Sequence, residues 1–142
     1  ARVRGVQNQP IRIVFDEDGC LTGTETVFDQ ASETLCYVRE QREPFQTEAL
    51  TGEKGFDLQG LASLWFERGI TGVLVEGGPR THRSFLAAGL VDRIELFLAP
   101  KLLGNGPVWY NSDTESLEAA TNLNVERGKR VGPDLWLTAQ IA

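Results

Sequence analysis

Gly72-Val73-Leu74-Val75-Glu76-Gly77-Gly78-Pro79 is the stretch on which the architecture turns. Its first four residues form a short continuous apolar run, the pattern of a central strand covered on both faces. Two glycines follow, and residues 80–90 then suit a helix that packs Phe85 and Leu86 and stops near Gly89. Strand, glycine turn and helix in this order form the repeating unit of a parallel α/β sheet.

Upstream, Leu58, Leu61, Ala62 and Trp65 recur at helical spacing between a capping residue, Asp57, and Gly69, which predicts a helix over 58–68. Further upstream, Pro10 precedes the β-branched and aromatic run Ile11-Arg12-Ile13-Val14-Phe15, which ends at the turn Asp16-Glu17-Asp18-Gly19. Leu35-Cys36-Tyr37-Val38 reads as a second strand, followed by a polar loop of edge character from Arg39 to Pro44. Downstream, Asp92 to Ala99 alternates, with Ile94, Leu96 and Leu98 on one face and Arg93, Glu95 and Phe97 on the other. After the turn-rich residues 100–107, two more strands are expected around 123–127 and 135–141, joined as a hairpin through Gly132-Pro133-Asp134. The expected fold is therefore α/β: a mixed, mostly parallel sheet flanked by helices, with antiparallel strands added at the C-terminal end.

The 142 residues suit one domain, and 41% hydrophobic with 24% charged residues is ordinary for a globular chain. A net charge of -6 with 14 scattered basic residues argues against nucleic acid as a partner. There is no uninterrupted apolar run long enough to cross a bilayer, and Ala1-Arg2-Val3-Arg4-Gly5 has no signal-peptide core, so a cytoplasmic protein with no membrane partner is expected. Cys20 and Cys36 belong to no Cys-x-x-Cys pair and have no neighbouring His ligand; no metal site is expected, and both are read as small buried hydrophobes. An Ala in place of an initiator Met, directly before a strand pattern, suggests a start inside a longer gene product.

Several residues could carry chemistry. The Gly77-Gly78 turn sits before a helix start, where backbone N–H groups lack intrahelical acceptors and bind anions. Arg80 or Arg83 could add charge there, and Pro79 suits the first helical turn. A tight connection that merely needs glycine to turn is an equal reading, since Gly-Gly alone is a weak motif. Glu76 ends the apolar run where open α/β sheets place ligands; it could orient a substrate hydroxyl or amine, although a solvated strand end is the simpler reading. His82, the only histidine, reads as a solvated helix residue. Trp65, Trp109 and Trp136 read as core or interface aromatics, and Asp16 with Asp18 as turn formers.

Taken in order, residues 72–79, then Ser84-Phe85-Leu86, Gly89-Leu90-Val91-Asp92 and Leu98-Ala99-Pro100-Lys101-Leu102-Leu103-Gly104, resemble the reductase domain of the bacterial bifunctional deaminase/reductase of riboflavin biosynthesis. Gln9 to Asp16 and Val131 to Leu135 are similar to that family as well. The resemblance implies a dihydrofolate-reductase-like fold. It also implies NADPH-dependent reduction of 5-amino-6-(5-phosphoribosylamino)uracil to the ribitylamino compound, with hydride delivered to the ribose carbon that bears the amine. It places Glu76 and, by spacing, Arg2 on the substrate. Gly77, Gly78, Pro79, Arg80, Thr81, His82, Arg83 and Ser84 are placed on the cofactor, and no catalytic acid is identified.

A homodimer formed through the C-terminal strands and an upstream zinc-dependent deaminase domain are further implications. The family's opening strand, with its Ala-Asp and Asp-Asp-Pro motifs, is absent, so residues 1–142 are read as a C-terminal reductase domain whose N-terminal part is missing. Two alternatives predict other behaviour. A dihydrofolate-reductase-like enzyme would turn over another pterin or pyrimidine, and a noncatalytic nucleotide-binding or dimerisation module would bind or assemble without turnover.

Overall fold

The computed structural model describes residues 5–40, 42–45, 51–52, 55–114 and 116–142. The chain forms two compact units, residues 1–68 and 69–142. It is an α/β protein with both parallel and antiparallel pairing.

In the first unit, β1 (Arg12–Asp16) and β2 (Thr34–Val38) form a parallel ladder from Arg12↔Thr34 to Asp16↔Val38. The crossover between them is held by the Arg12 guanidinium, which donates to the Asp29 carboxylate at 2.8 Å and to the Asp29 and Ser32 carbonyls at 2.6 Å each. Those carbonyls would otherwise need other donors, so one side chain satisfies a loop that carries little regular structure of its own. The strand period then divides β2 between two clusters. Cys36 and Val38 pack with Phe45, Val14, Leu21 and Phe28. Tyr37 faces the other way, with its ring centroid 5.8 Å from Phe15 and 6.1 Å from Trp65. Trp65 Nε1 donates to the Tyr37 hydroxyl at 2.8 Å, which satisfies both polar tips inside an apolar cluster.

Two-residue strands β3 (Thr51–Gly52) and β4 (Gly55–Phe56) pair as a short antiparallel ribbon that no sequence pattern announced. Helix α1 (Leu58–Glu67) follows as expected: the Asp57 side chain accepts from the Gly60 N–H at 3.0 Å, Leu61 and Trp65 are buried one turn apart, and Gly69 turns at φ 80°.

The second unit contains α2 (Pro79–Ala87) and an antiparallel sheet of order β5-β7-β6, from β5 (Arg93–Leu98), β7 (Asp134–Ile141) and β6 (Leu123–Val131). The expected C-terminal hairpin is β6–β7, turning through Gly132 at φ 60°. Across β5 and β7, Phe97 lies opposite Trp136 with ring centroids 5.6 Å apart, and Glu95 lies opposite Thr138. Trp136 Nε1 and the Thr138 hydroxyl both donate to Glu95. These two bonds, Thr138 first, hold the Glu95 carboxyl below its usual range.

Three expectations require correction. Residues 72–75 join no ladder among the described residues, and Val73 and Leu74 are 45% and 72% exposed. An apolar run specifies that both faces need cover, but a strand exists only where a neighbour's N–H and C=O groups pair with it, and no described strand pairs with residues 72–75. The strand buried on both faces is β2. Cys36 is buried, but Cys20 is exposed, because its backbone N–H caps Asp16 and keeps it in the turn. Trp109 is 46% exposed and lies in an irregular connection, so of its core and interface readings the core one fails.

Candidate functional site

The site is built on the connection from residues 72–75 through Glu76-Gly77-Gly78 into α2. Pro79 occupies the first helical position, where its fixed φ suits the helix and its missing N–H removes nothing. The first intrahelical bond runs from the His82 N–H to the Gly78 carbonyl at 3.2 Å. The N–H groups before it have no acceptor within the helix. The cap residue Gly78 supplies no side-chain oxygen to them. At the other end α2 is closed by a Schellman pair, with the Gly89 N–H donating to Leu86 O and the Leu90 N–H to Phe85 O, both at 3.1 Å, and Gly89 at φ 66°. The helix is thus finished at its C-terminus and has no side-chain cap at its N-terminus, the end that carries the positive pole of the dipole.

The two glycines differ physically. A Cβ at Gly77 would sit 3.1 Å from both Cβ and Oγ1 of Thr81, so a side chain there would require Thr81 to give by a few tenths of an ångström. A Cβ at Gly78 would meet nothing within 4 Å, and its backbone, at φ -86° and ψ 179°, is ordinary extended geometry. Glycine thus fits at 77 without displacing Thr81, while position 78 has open space. That space beside an uncapped helix start fits a phosphate or carboxylate.

Glu76 and Arg80 are exposed on either side of this turn. Among the expected residues of α2, Ser84, His82 and Arg83 make bonds through their side chains. The Ser84 hydroxyl donates back to the Arg80 carbonyl at 3.0 Å, and the His82 ring Nδ1 lies 2.6 Å from the Trp109 carbonyl. The Arg83 guanidinium pairs bidentately with the Asp113 carboxylate, one bond measuring 3.1 Å. This pairing holds Arg83 above its usual pKa. Trp109 and Asp113 carry no motif, and their partners lie 27 and 30 residues away, so pattern reading passes over them. Arg2 lies outside the described residues.

Beside the turn is a groove of about 760 Å³ bounded by residues 72–75, by β5 and by His82, Phe85 and Trp109. Among the described residues no three His, Cys, Asp or Glu side chains converge on a possible metal position. No described helix is long and apolar enough to cross a membrane.

The chain is 33% identical to the riboflavin biosynthesis protein RibD of Escherichia coli over 137 residues, covering 91% of this chain and 37% of that protein. It is 30% identical to RibD of Aquifex aeolicus over 135 residues, covering 91% and 38%. It thus spans about two fifths of the length of these relatives. Among solved structures, Acinetobacter baumannii RibD superposes with a TM-score of 0.82 at 20% identity, covering 100% of this chain and 42% of that one. The Saccharomyces cerevisiae riboflavin biosynthesis reductase superposes at 0.69 and 15% identity, covering 95% and 71%. These superpositions establish the dihydrofolate-reductase-like fold. The family description "RibD C-terminal domain" matches residues 1–137, and the chain belongs to that family.

Proposed function

We propose that this chain is the reductase part of a riboflavin-pathway enzyme and reduces 5-amino-6-(5-phosphoribosylamino)uracil to the ribitylamino compound with NADPH. The observation that carries the reading is the uncapped N-terminus of α2 with open space at Gly78, in a chain matching the RibD C-terminal domain over residues 1–137. Bound NADPH would supply hydride to the ribose carbon bearing the amine. The protein's task is then to bind and orient. The first-turn N–H groups of α2 hold phosphate oxygens, with Arg80 adding positive charge at the same end. The Glu76 carboxylate, at the entry to the turn, accepts from a hydroxyl or amine of the substrate and fixes the sugar relative to the cofactor. Arg2 is assigned to the substrate by resemblance alone.

The same reading makes the protein a cytoplasmic homodimer with an upstream deaminase domain. The greater length of the relatives supports the domain. The sheet β5-β7-β6 supports the dimer, with Phe97 60% exposed and stacked on Trp136, and with β6 exposed along its whole length.

Titration calorimetry with NADPH and NADH on the folded protein tests the cofactor assignment. Binding with a preference for NADPH is expected. A folded protein that binds neither nucleotide removes the phosphate assignment from the Gly77-Gly78 turn.

A further inference from the structure

The connection between β5 and β6, residues 99–122, contains no strand or helix among its described residues, yet it is fastened at two points to one element. Its residue Trp109 meets His82 and its residue Asp113 meets Arg83, two consecutive positions in the first half of α2. The His82 and Trp109 rings also approach with centroids 6.3 Å apart. A nine-residue helix is marginal alone, and its ends fray first. The Schellman pair secures the C-terminal end. No capping side chain secures the other end, so attachments from outside the helix matter there.

These attachments lead directly to the glycine turn. His82 touches both parts: its ring meets the Trp109 carbonyl and its backbone N–H donates to the Gly78 carbonyl. Thr81, the residue before it, lies close against Gly77, its Cβ and Oγ1 3.1 Å from where a Cβ at 77 would sit. A shift of the first helical turn would therefore change the positions of Gly77 and Gly78 together. We infer that His82 and Asp113 are positioning residues for the phosphate turn, with residues 109–113 acting as a strap that locks the first turn of α2 in its anion-accepting geometry. The role rests on the cofactor reading above and deepens it. His82 and Asp113 act through the backbone, and Arg83 is committed to the strap.

Amide hydrogen exchange of the cofactor-free protein and NADPH titration, run on His82→Ala, Asp113→Ala and the milder His82→Asn and Asp113→Asn, test this inference. Each alanine variant is expected to speed exchange at His82 and Arg83, the first amides bonded within α2, while leaving Ala88 to Leu90 unchanged, and to weaken NADPH binding roughly three- to tenfold. His82→Asn keeps an N–H donor and is expected to recover part of both losses. The double alanine variant should fall short of the product of the single effects, because both bonds hold one strap. Variants that bind NADPH and exchange as wild type does overturn the inference and leave the cofactor reading intact. Weaker binding without faster exchange at residues 82 and 83 also overturns it, because those side chains would then touch the nucleotide rather than position the turn. Wild type that binds no NADPH overturns the cofactor reading, and with it the role assigned to the strap.

Discussion

Replacing Gly78 with Asp separates a structural turn from an anion site, because the two roles predict opposite signs. Gly78 has φ -86° and ψ 179°, which an L-residue adopts without strain, and its Cβ would meet nothing within 4 Å. An Asp there can accept from first-turn N–H groups that the native cap leaves without a side-chain partner. The capping gain over glycine is a few tenths of a kcal/mol, and the carboxylate at the positive pole of α2 adds about 0.3–1 kcal/mol. Restricting the unfolded chain adds about 0.4–1 kcal/mol, for a total near 1–2 kcal/mol. At this chain length each kcal/mol raises Tm by roughly 3 °C. If the turn holds phosphate, the same carboxylate occupies its donors and repels its charge. Two unit charges about 4 Å apart at an effective dielectric near 20 interact by about 4 kcal/mol, or roughly three decades in Kd. Thermal unfolding by circular dichroism and NADPH calorimetry on the same sample should give a higher Tm with binding lost. A higher Tm with unchanged NADPH affinity would refute the phosphate assignment, and a lower Tm would refute the account of the open cap.

Glu76→Gln should lower turnover about 10- to 100-fold while NADPH affinity changes less than twofold, since it removes a charged acceptor from the substrate side alone; equal turnover in a steady-state assay would take Glu76 out of the site. Asp57→Ala should cost about 1 kcal/mol in urea unfolding, through loss of the α1 cap, and should leave NADPH affinity unchanged. Asp16 is buried, and burial raises its pKa, but hydrogen bonds from the Leu21 and Cys20 N–H groups and from Arg42 outweigh this and hold the carboxyl below 3.8. Its ionised form therefore contributes stability that is fully present above the unfolded value near 3.8 and is lost as pH falls through the lower folded value. Asp16→Asn should remove about 2 kcal/mol at pH 7, a figure discounted because Arg42 is one third exposed, and should flatten the acid limb of stability measured by denaturant unfolding.

What could be read from the sequence was local. Asp57, Leu61, Trp65 and Gly69 announce α1 within its own span, because caps and a 3.6-residue period involve neighbours a turn apart. The hairpin β6–β7 announces itself through Gly132, the one residue type that turns there without strain. The Gly77-Gly78 turn was legible as a turn, but the different demands on its two glycines were not, since they depend on where Thr81 sits. Pairing was the least legible feature. Residues 72–75 and 35–38 are both short apolar runs, yet only the second lies in a ladder among the described residues, because β1 offers it a parallel edge in register. The strap was invisible for the same reason: His82 with Trp109 and Arg83 with Asp113 are contacts between segments far apart in sequence.

The two α-helices show why, among the described residues, the start of α2 is suited to an anion and that of α1 is not. The first turns of α1 and α2 both leave N–H groups without intrahelical acceptors, one fewer in α2 because Pro79 has no N–H. In α1 the Asp57 carboxylate accepts from the Gly60 N–H, which fills the place an incoming anion would take and would also repel it. In α2 the corresponding residue is Gly78, the turn before it is held tightly by Thr81 against Gly77, and the space where a capping side chain would lie is open. A Ser or Asp at position 78 would stabilise the isolated helix, so the open cap has a stability cost in the empty protein. An anion that completes the cap on binding offsets that cost, and the offset then contributes directly to the ligand's affinity.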